Sequence, residues 1–84
     1  MNAQRQLMMK RALEVLDPLA GGICAGPLFD QVERMVGFPL TDLERDTALA
    51  HMHAKGWVRT ATHAFTGEVI YFITDAGRMA MIGL

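Results

Sequence analysis

The histidines are the residues of this 84-residue chain whose chemistry would best suit a metal ion. His51 and His53 lie two positions apart, and on a helix that spacing points their side chains about 200° away from each other. Two histidines that chelate one metal ion from a helix need a spacing of roughly four residues. His63 stands alone in a predicted loop. We therefore expect no metal site and no cofactor.

Catalysis is not expected either. The chain contains no serine, and its paired glycines Gly21-Gly22 fall between two predicted helices, whereas a phosphate-binding loop follows a strand. Cys24 is the one cysteine, so the chain cannot form an internal disulfide. Nothing near it in the sequence indicates an activated thiol. We predict a binding protein and name no catalytic residue.

Composition limits the class of protein and of partner. Hydrophobic residues make up 51% of the chain and charged residues 20%, which predicts a folded domain and not a disordered polar chain. The formal net charge is −1, although proteins that bind nucleic acids usually carry a basic excess. Any DNA contact must therefore come from a local patch or from two copies. We see no signal peptide in the sequence, and no apolar run approaches the length of ~20 residues that a membrane helix needs. We therefore expect a cytoplasmic protein.

Three helices are predicted in the first two thirds of the chain. Apolar residues recur at helical spacing over residues 4–16, and Asp17-Pro18 ends that helix. A second helix begins at Gly26-Pro27 and ends at Gly37. The third runs from Thr41 to Lys55 and begins with a capping box of Thr41 and Glu44.

The remaining chain changes to the two-residue period of strands. Residues 57–62 and 69–73 are rich in strand formers and predict a hairpin, which a short helix follows from Thr74 or Asp75. We predict a single domain over residues 1–84 that is mainly α with a small β-hairpin (α+β). Its architecture is a winged helix-turn-helix: a three-helix core, a two-stranded wing and a short C-terminal helix.

Two stretches resemble known regulators. The stretch from Leu49 to Val58 resembles the pattern Leu-x-x-Leu-x-x-x-Gly-Leu-Val, which ends the recognition helix and enters the wing. The stretch from Tyr71 to Arg78 resembles the exit from the wing in MarR-, PadR- and ArsR-type winged-helix proteins. The chain is also similar to small winged-helix proteins of Mu-like phages and prophages. The resemblance implies a homodimer that binds double-stranded DNA in transcription regulation.

The predicted DNA-binding surface has few suitable groups. The recognition helix of a helix-turn-helix meets base edges through its first turns, and here those turns carry Asp42, Glu44 and Asp46. Carboxylates repel phosphates, so the charge pattern argues against DNA there. The groups of suitable chemistry on the expected face are Arg45, Thr47, Lys55 and Arg59.

Surplus apolar residues indicate a partner. The apolar face of the first helix is wider than one core contact requires, which predicts a dimer seam of Met8, Val15 and Leu19. Strand alternation places large apolar residues on the outer face of the wing, namely Phe65, Ile70 and Phe72. These observations leave open a second function, a protein–protein adaptor that uses the winged-helix scaffold without binding DNA.

Overall fold

The computed structural model describes residues 3–84. Its elements, in chain order, are α1 (Ala3–Leu16), β1 (Ile23–Cys24), α2 (Ala25–Val36), α3 (Asp42–Ala54), β2 (Val58–Thr62), β3 (Val69–Ile73) and α4 (Asp75–Gly83). The three predicted core helices, the hairpin and the short last helix are all present. None of the helices in residues 3–84 has the length and apolar character needed to cross a bilayer.

Helix α1 lies at the centre of the domain, in contact with α2, α3, α4 and β3. These neighbours cover both of its apolar rows, so the predicted dimer seam on this helix is wrong. Met8 and Val15 are only 2% and 8% exposed, and Leu19 packs against the same core. The wide apolar face is buried within one chain, because four elements and not one surround the helix.

The connection between α2 and α3 forms as predicted. Gly37 adopts φ 79°, a left-handed conformation that glycine favours, and its N–H caps α2 at the carbonyl of Glu33. The hydroxyl of Thr41 accepts a hydrogen bond from Glu44 N at 3.1 Å, and the Glu44 carboxylate accepts one from Thr41 N at 3.0 Å. The capping box is therefore confirmed. Helix α2 begins at Ala25, one residue earlier than predicted.

The sheet has three strands, where the sequence predicted two. Its order is β1-β3-β2 and both pairings are antiparallel. Ile23 and Cys24, which lie between the first two predicted helices, pair with Tyr71 and Ile70 of β3. A strand of two residues is too short to be predicted from its sequence pattern, and its pairing with β3 joins segments that are far apart in the sequence. The most apolar strand therefore lies in the middle of the sheet.

Helix α4 packs tightly against the beginning of the wing. Thr74 caps the helix by accepting a hydrogen bond from Gly77 N at 3.0 Å, while its own hydroxyl donates to the carbonyl of Gly56. A Cβ at Gly77 would overlap the carbonyl oxygen of Trp57. The close approach therefore requires glycine at this position.

Candidate nucleic-acid interface

The solvent-facing side of α3 is acidic and apolar. Leu43 is 75% exposed in the first turn of the helix. Asp42 and Asp46 are exposed in the same region, and Ala50 and His53 continue the exposed side toward the other end. No cation in residues 3–84 forms an ion pair with Asp46. This surface offers little to a phosphate backbone.

Arg45, the predicted base contact, points away from this surface. Its guanidinium forms an ion pair with Glu33 and lies 3.6 Å from Asp30 Oδ1, and its side chain is only 22% exposed. It also lies over the ring of Phe29, 5.8 Å from the centroid. The placement of Arg45 on an open DNA face is therefore wrong: the side chain joins α3 to α2. Thr47 is half-buried.

Glu33 is the centre of this connection. Besides the guanidinium of Arg45, its carboxylate accepts a hydrogen bond from Leu40 N at 3.1 Å. These two donors, the Arg45 guanidinium first and the Leu40 N–H second, lower the pKa of Glu33. One carboxylate thus holds α2, the turn and α3 together.

Three exposed cations lie on elements that border α3. Lys55 is at the C-terminal end of α3, Arg59 is on β2, and Arg34 is in the last turn of α2. No carboxylate in the described part of the chain pairs with any of them. The first two were predicted as DNA contacts. Arg34 was missed, although its place just before the turn of a helix-turn-helix was a usable signal.

The sheet has an outer face that its own chain partly covers. The guanidinium of Arg59 lies 4.2 Å from the ring centroid of Phe72, close enough for a cation–π interaction. A Cβ at Gly22 would come within 2.6 Å of Ile70 and 2.8 Å of Phe72. Ile70 and Phe72 are therefore half-buried beneath the α1–β1 connection and Arg59. The prediction that these two residues form an open surface for a partner is wrong.

Phe65, at the tip of the wing, is 94% exposed. The turn that carries it is ordered, because His63 Nδ1 accepts hydrogen bonds from the N–H groups of Phe65 and Thr66 at 3.2 and 3.3 Å. His63 N–H in turn donates to the carbonyl of Glu68 at 2.8 Å. This histidine organises a turn. No cluster of three metal-ligating side chains occurs within residues 3–84.

An open groove of about 410 Å³ separates α3 from the wing. Strand pairing places Thr60 opposite Tyr71 and Thr62 opposite Val69, on the face away from Arg59. The groove is lined by Asp46, Leu49, Ala50, His53, Thr60, Val69 and Tyr71. It contains one carboxylate and no lysine or arginine.

Cys24 lies at the sheet edge, with its Sγ 3.5 Å from a carboxylate oxygen of Glu68. Burial and the neighbouring Glu68 raise the pKa of the Cys24 thiol. The environment therefore favours the thiol over the thiolate, and the geometry offers no nucleophile here.

Comparison with known proteins identifies the fold. No protein-family model and no curated protein matches the chain. The crystal structure of SSV1 F-93 superimposes with a TM-score of 0.70 at 17% identity, over 99% of this chain and 82% of that one. At this identity the similarity concerns the fold alone, and it extends from α1 to α4. Together with the capped α2–α3 pair and the β2–β3 wing, it shows that this chain has the winged helix-turn-helix fold.

Proposed function

We propose that this chain binds double-stranded DNA as a transcription regulator, mainly through the phosphate backbone. The supporting observation is the location of its unpaired cations. In a helix-turn-helix the first helix of the pair crosses the DNA backbone while the second lies in the major groove. Arg34 lies on that first helix, and Lys55 and Arg59 flank the end of the second.

Base contacts contribute little in this proposal. Arg45 is engaged with Glu33, and the carboxylates of Asp42 and Asp46 can accept hydrogen bonds only from a donor such as cytosine N4. Phosphate contacts position a protein on the duplex without selecting a sequence. We therefore expect weak sequence preference and an affinity that depends strongly on salt.

The test is fluorescence anisotropy on a mixed-sequence duplex of about 30 base pairs, with salt varied from about 20 to 200 mM. Three phosphate contacts predict a log–log slope of about −2.7 per protomer, since each contributes about −0.9. Arg59→Gln and Lys55→Gln should each flatten the slope by about 0.9. A matched control is Arg11→Gln, because Arg11 is already paired with Glu14 on α1.

Two results would contradict the proposal. One is that no duplex is retained even at the lowest salt. The other is that Arg11→Gln reduces affinity as much as Arg59→Gln, which would indicate non-specific attraction to total charge. The homodimer stays a prediction, and Met8 and Val15 cannot form its contact surface because they are buried within one chain.

A further inference from the structure

The exposed side of α3 has the pattern of a helix-packing surface. Leu43, Asp46, Ala50 and His53 follow one another at intervals of three or four residues, so they form one stripe along the helix. Over about 10 residues at 1.5 Å per residue, the stripe is about 15 Å long. That length corresponds to about three turns of a second helix laid beside it.

The centre of the stripe is small and the wing supplies an opposite wall. Ala50 and Ala54 are both exposed, and their short side chains leave room for another backbone to approach. Across the groove lie Val69, which is exposed at the end of β3, and Tyr71. The groove therefore has the small apolar side chain of Ala50 on its floor and Val69 and Tyr71 on its wall, beside the polar groups of Asp46, His53 and Thr60.

Charge in this region has one dominant sign. Asp46 lines the N-terminal end of the groove, and Asp42 is exposed one turn before it on α3. Arg45 lies between them in sequence, but its charge is directed into α2, where it meets Glu33 and Asp30. His53 is the titratable base that lines the groove. An occupant with positive charge at that end is complementary to this surface.

We propose that the groove between α3 and the wing binds a basic amphipathic helix of a protein partner. Apolar side chains of that helix at positions i, i+3 and i+7 contact Ala50 and Val69, and its Lys or Arg side chains pair with Asp42 and Asp46. This is the helix-in-groove mode of recognition. The groove excludes Arg59, which lies on the opposite face of the wing, but it uses the exposed side of α3 that the DNA proposal turns toward the duplex, so the two partners would compete for α3.

The probe is an 18-residue helical peptide made of leucine and lysine, with a second peptide in which every lysine is glutamate. Amide chemical shifts of the ¹⁵N-labelled protein report where each peptide binds. The lysine peptide should shift the amides of α3 and of Val69, while the glutamate peptide should leave them unchanged. Asp46→Lys should weaken binding at least fivefold, because it places like charges in contact.

Ala50→Arg is the second variant, since Ala50 is exposed and the change fills the floor of the groove without touching the core. It should also abolish the shifts. Asp75→Lys is the matched control, because it makes the same charge change at an exposed site on α4. It should bind the lysine peptide nearly as well as the unmodified protein.

Several outcomes would overturn the proposal. Equal binding of both peptides, or equal losses in Asp46→Lys and Asp75→Lys, would show non-specific attraction. Shifts of the same amides on raising the protein concentration alone would show that a second copy occupies the groove. Peptide-induced shifts in a protein that retains no duplex would support the groove proposal while contradicting the DNA proposal, so the two proposals fail separately.

Discussion

The two ends of the recognition helix differ in charge and in what surrounds them. The N-terminal end carries Asp42, Glu44 and Asp46, and its one arginine is bound to α2. The C-terminal end leads to Lys55 and Arg59, which are exposed and have no carboxylate partner in the described chain. Both arrangements suit the helix dipole, which favours negative charge at the first end and positive charge at the second.

This difference sets α3 apart from the usual recognition helix of a helix-turn-helix. In DNA-binding relatives of this fold the first turns meet base edges. In this chain the first turns are committed to capping the helix and fixing its angle to α2, through Thr41, Glu44 and the pair Glu33–Arg45. The exposed positive charges of Lys55 and Arg59 lie at the other end, beside the wing.

We expect the largest change in the free energy of unfolding from a substitution at the buried contact between α3 and the wing. Leu49 is buried between α3 and the wing, whereas Leu43 on the same helix is exposed. Leu49→Ala should lower the free energy of unfolding by about 2–5 kcal/mol, because it leaves a cavity in the core. Leu43→Ala should change it by less than about 0.5 kcal/mol. Chemical denaturation measures both, and equal effects would refute the assignment of the buried face.

A smaller effect is expected at the capped end. Thr41→Ala removes the acceptor for Glu44 N and should cost about 1 kcal/mol of unfolding free energy. Thr41→Ser keeps the hydroxyl and should recover most of that loss. The same denaturation experiment applies. If Ser and Ala at this position gave the same midpoint, the capping box would not contribute to stability.

The smallest effect concerns pH and tests the connection to α2. The pKa of Glu33 is lower in the folded protein than in the unfolded chain, where it is about 4.3. The ionised Glu33 carboxylate therefore stabilises the fold above pH about 4.3, and this stabilisation is lost as the pH falls through the pKa of the folded state. Glu33→Gln should be less stable at pH 7 and should lose less stability than the unmodified protein between about pH 5 and pH 3. Thermal unfolding at a series of pH values provides the measurement.

Parallel stability curves for Glu33→Gln and the unmodified protein would contradict this account. Arg45→Gln is the companion variant, because it removes the first of the two donors that lower the pKa of Glu33. It should reduce the loss of stability on acidification in the same direction as Glu33→Gln does.

Local signals in the sequence were sufficient for most of the fold. The capping box of Thr41 and Glu44 and the glycine at Gly37 involve residues within one turn of each other, so sequence spacing alone predicts them. The hairpin strands were predicted from their composition, and β3 was placed at Val69–Ile73 as observed. Leu49 and Met52 lie three residues apart, a spacing that predicts one buried face of α3, and both are buried.

The failures involve contacts between distant segments. The spacing of Met8 and Val15 shows that both lie on apolar rows, but it does not show that four other elements pack against α1 and bury both residues. Arg45 and Glu33 are twelve residues apart, and their contact depends on the angle between two helices. The pairing of Ile23 with Tyr71 depends on the path of the whole chain. Periodicity describes one element at a time and contains none of this information.

The central position of β3 has a consequence for solubility. Its five residues, Val69–Ile73, are all apolar or aromatic and carry no charge, which is the composition of an aggregation-prone segment. Within the sheet both of its edges are paired, one with the full length of β2 and the other with only the two residues of β1. Unpaired strand edges are templates for cross-β association. Resistance to aggregation in this chain therefore depends on a two-residue strand and on the glycine before it, where no side chain fits.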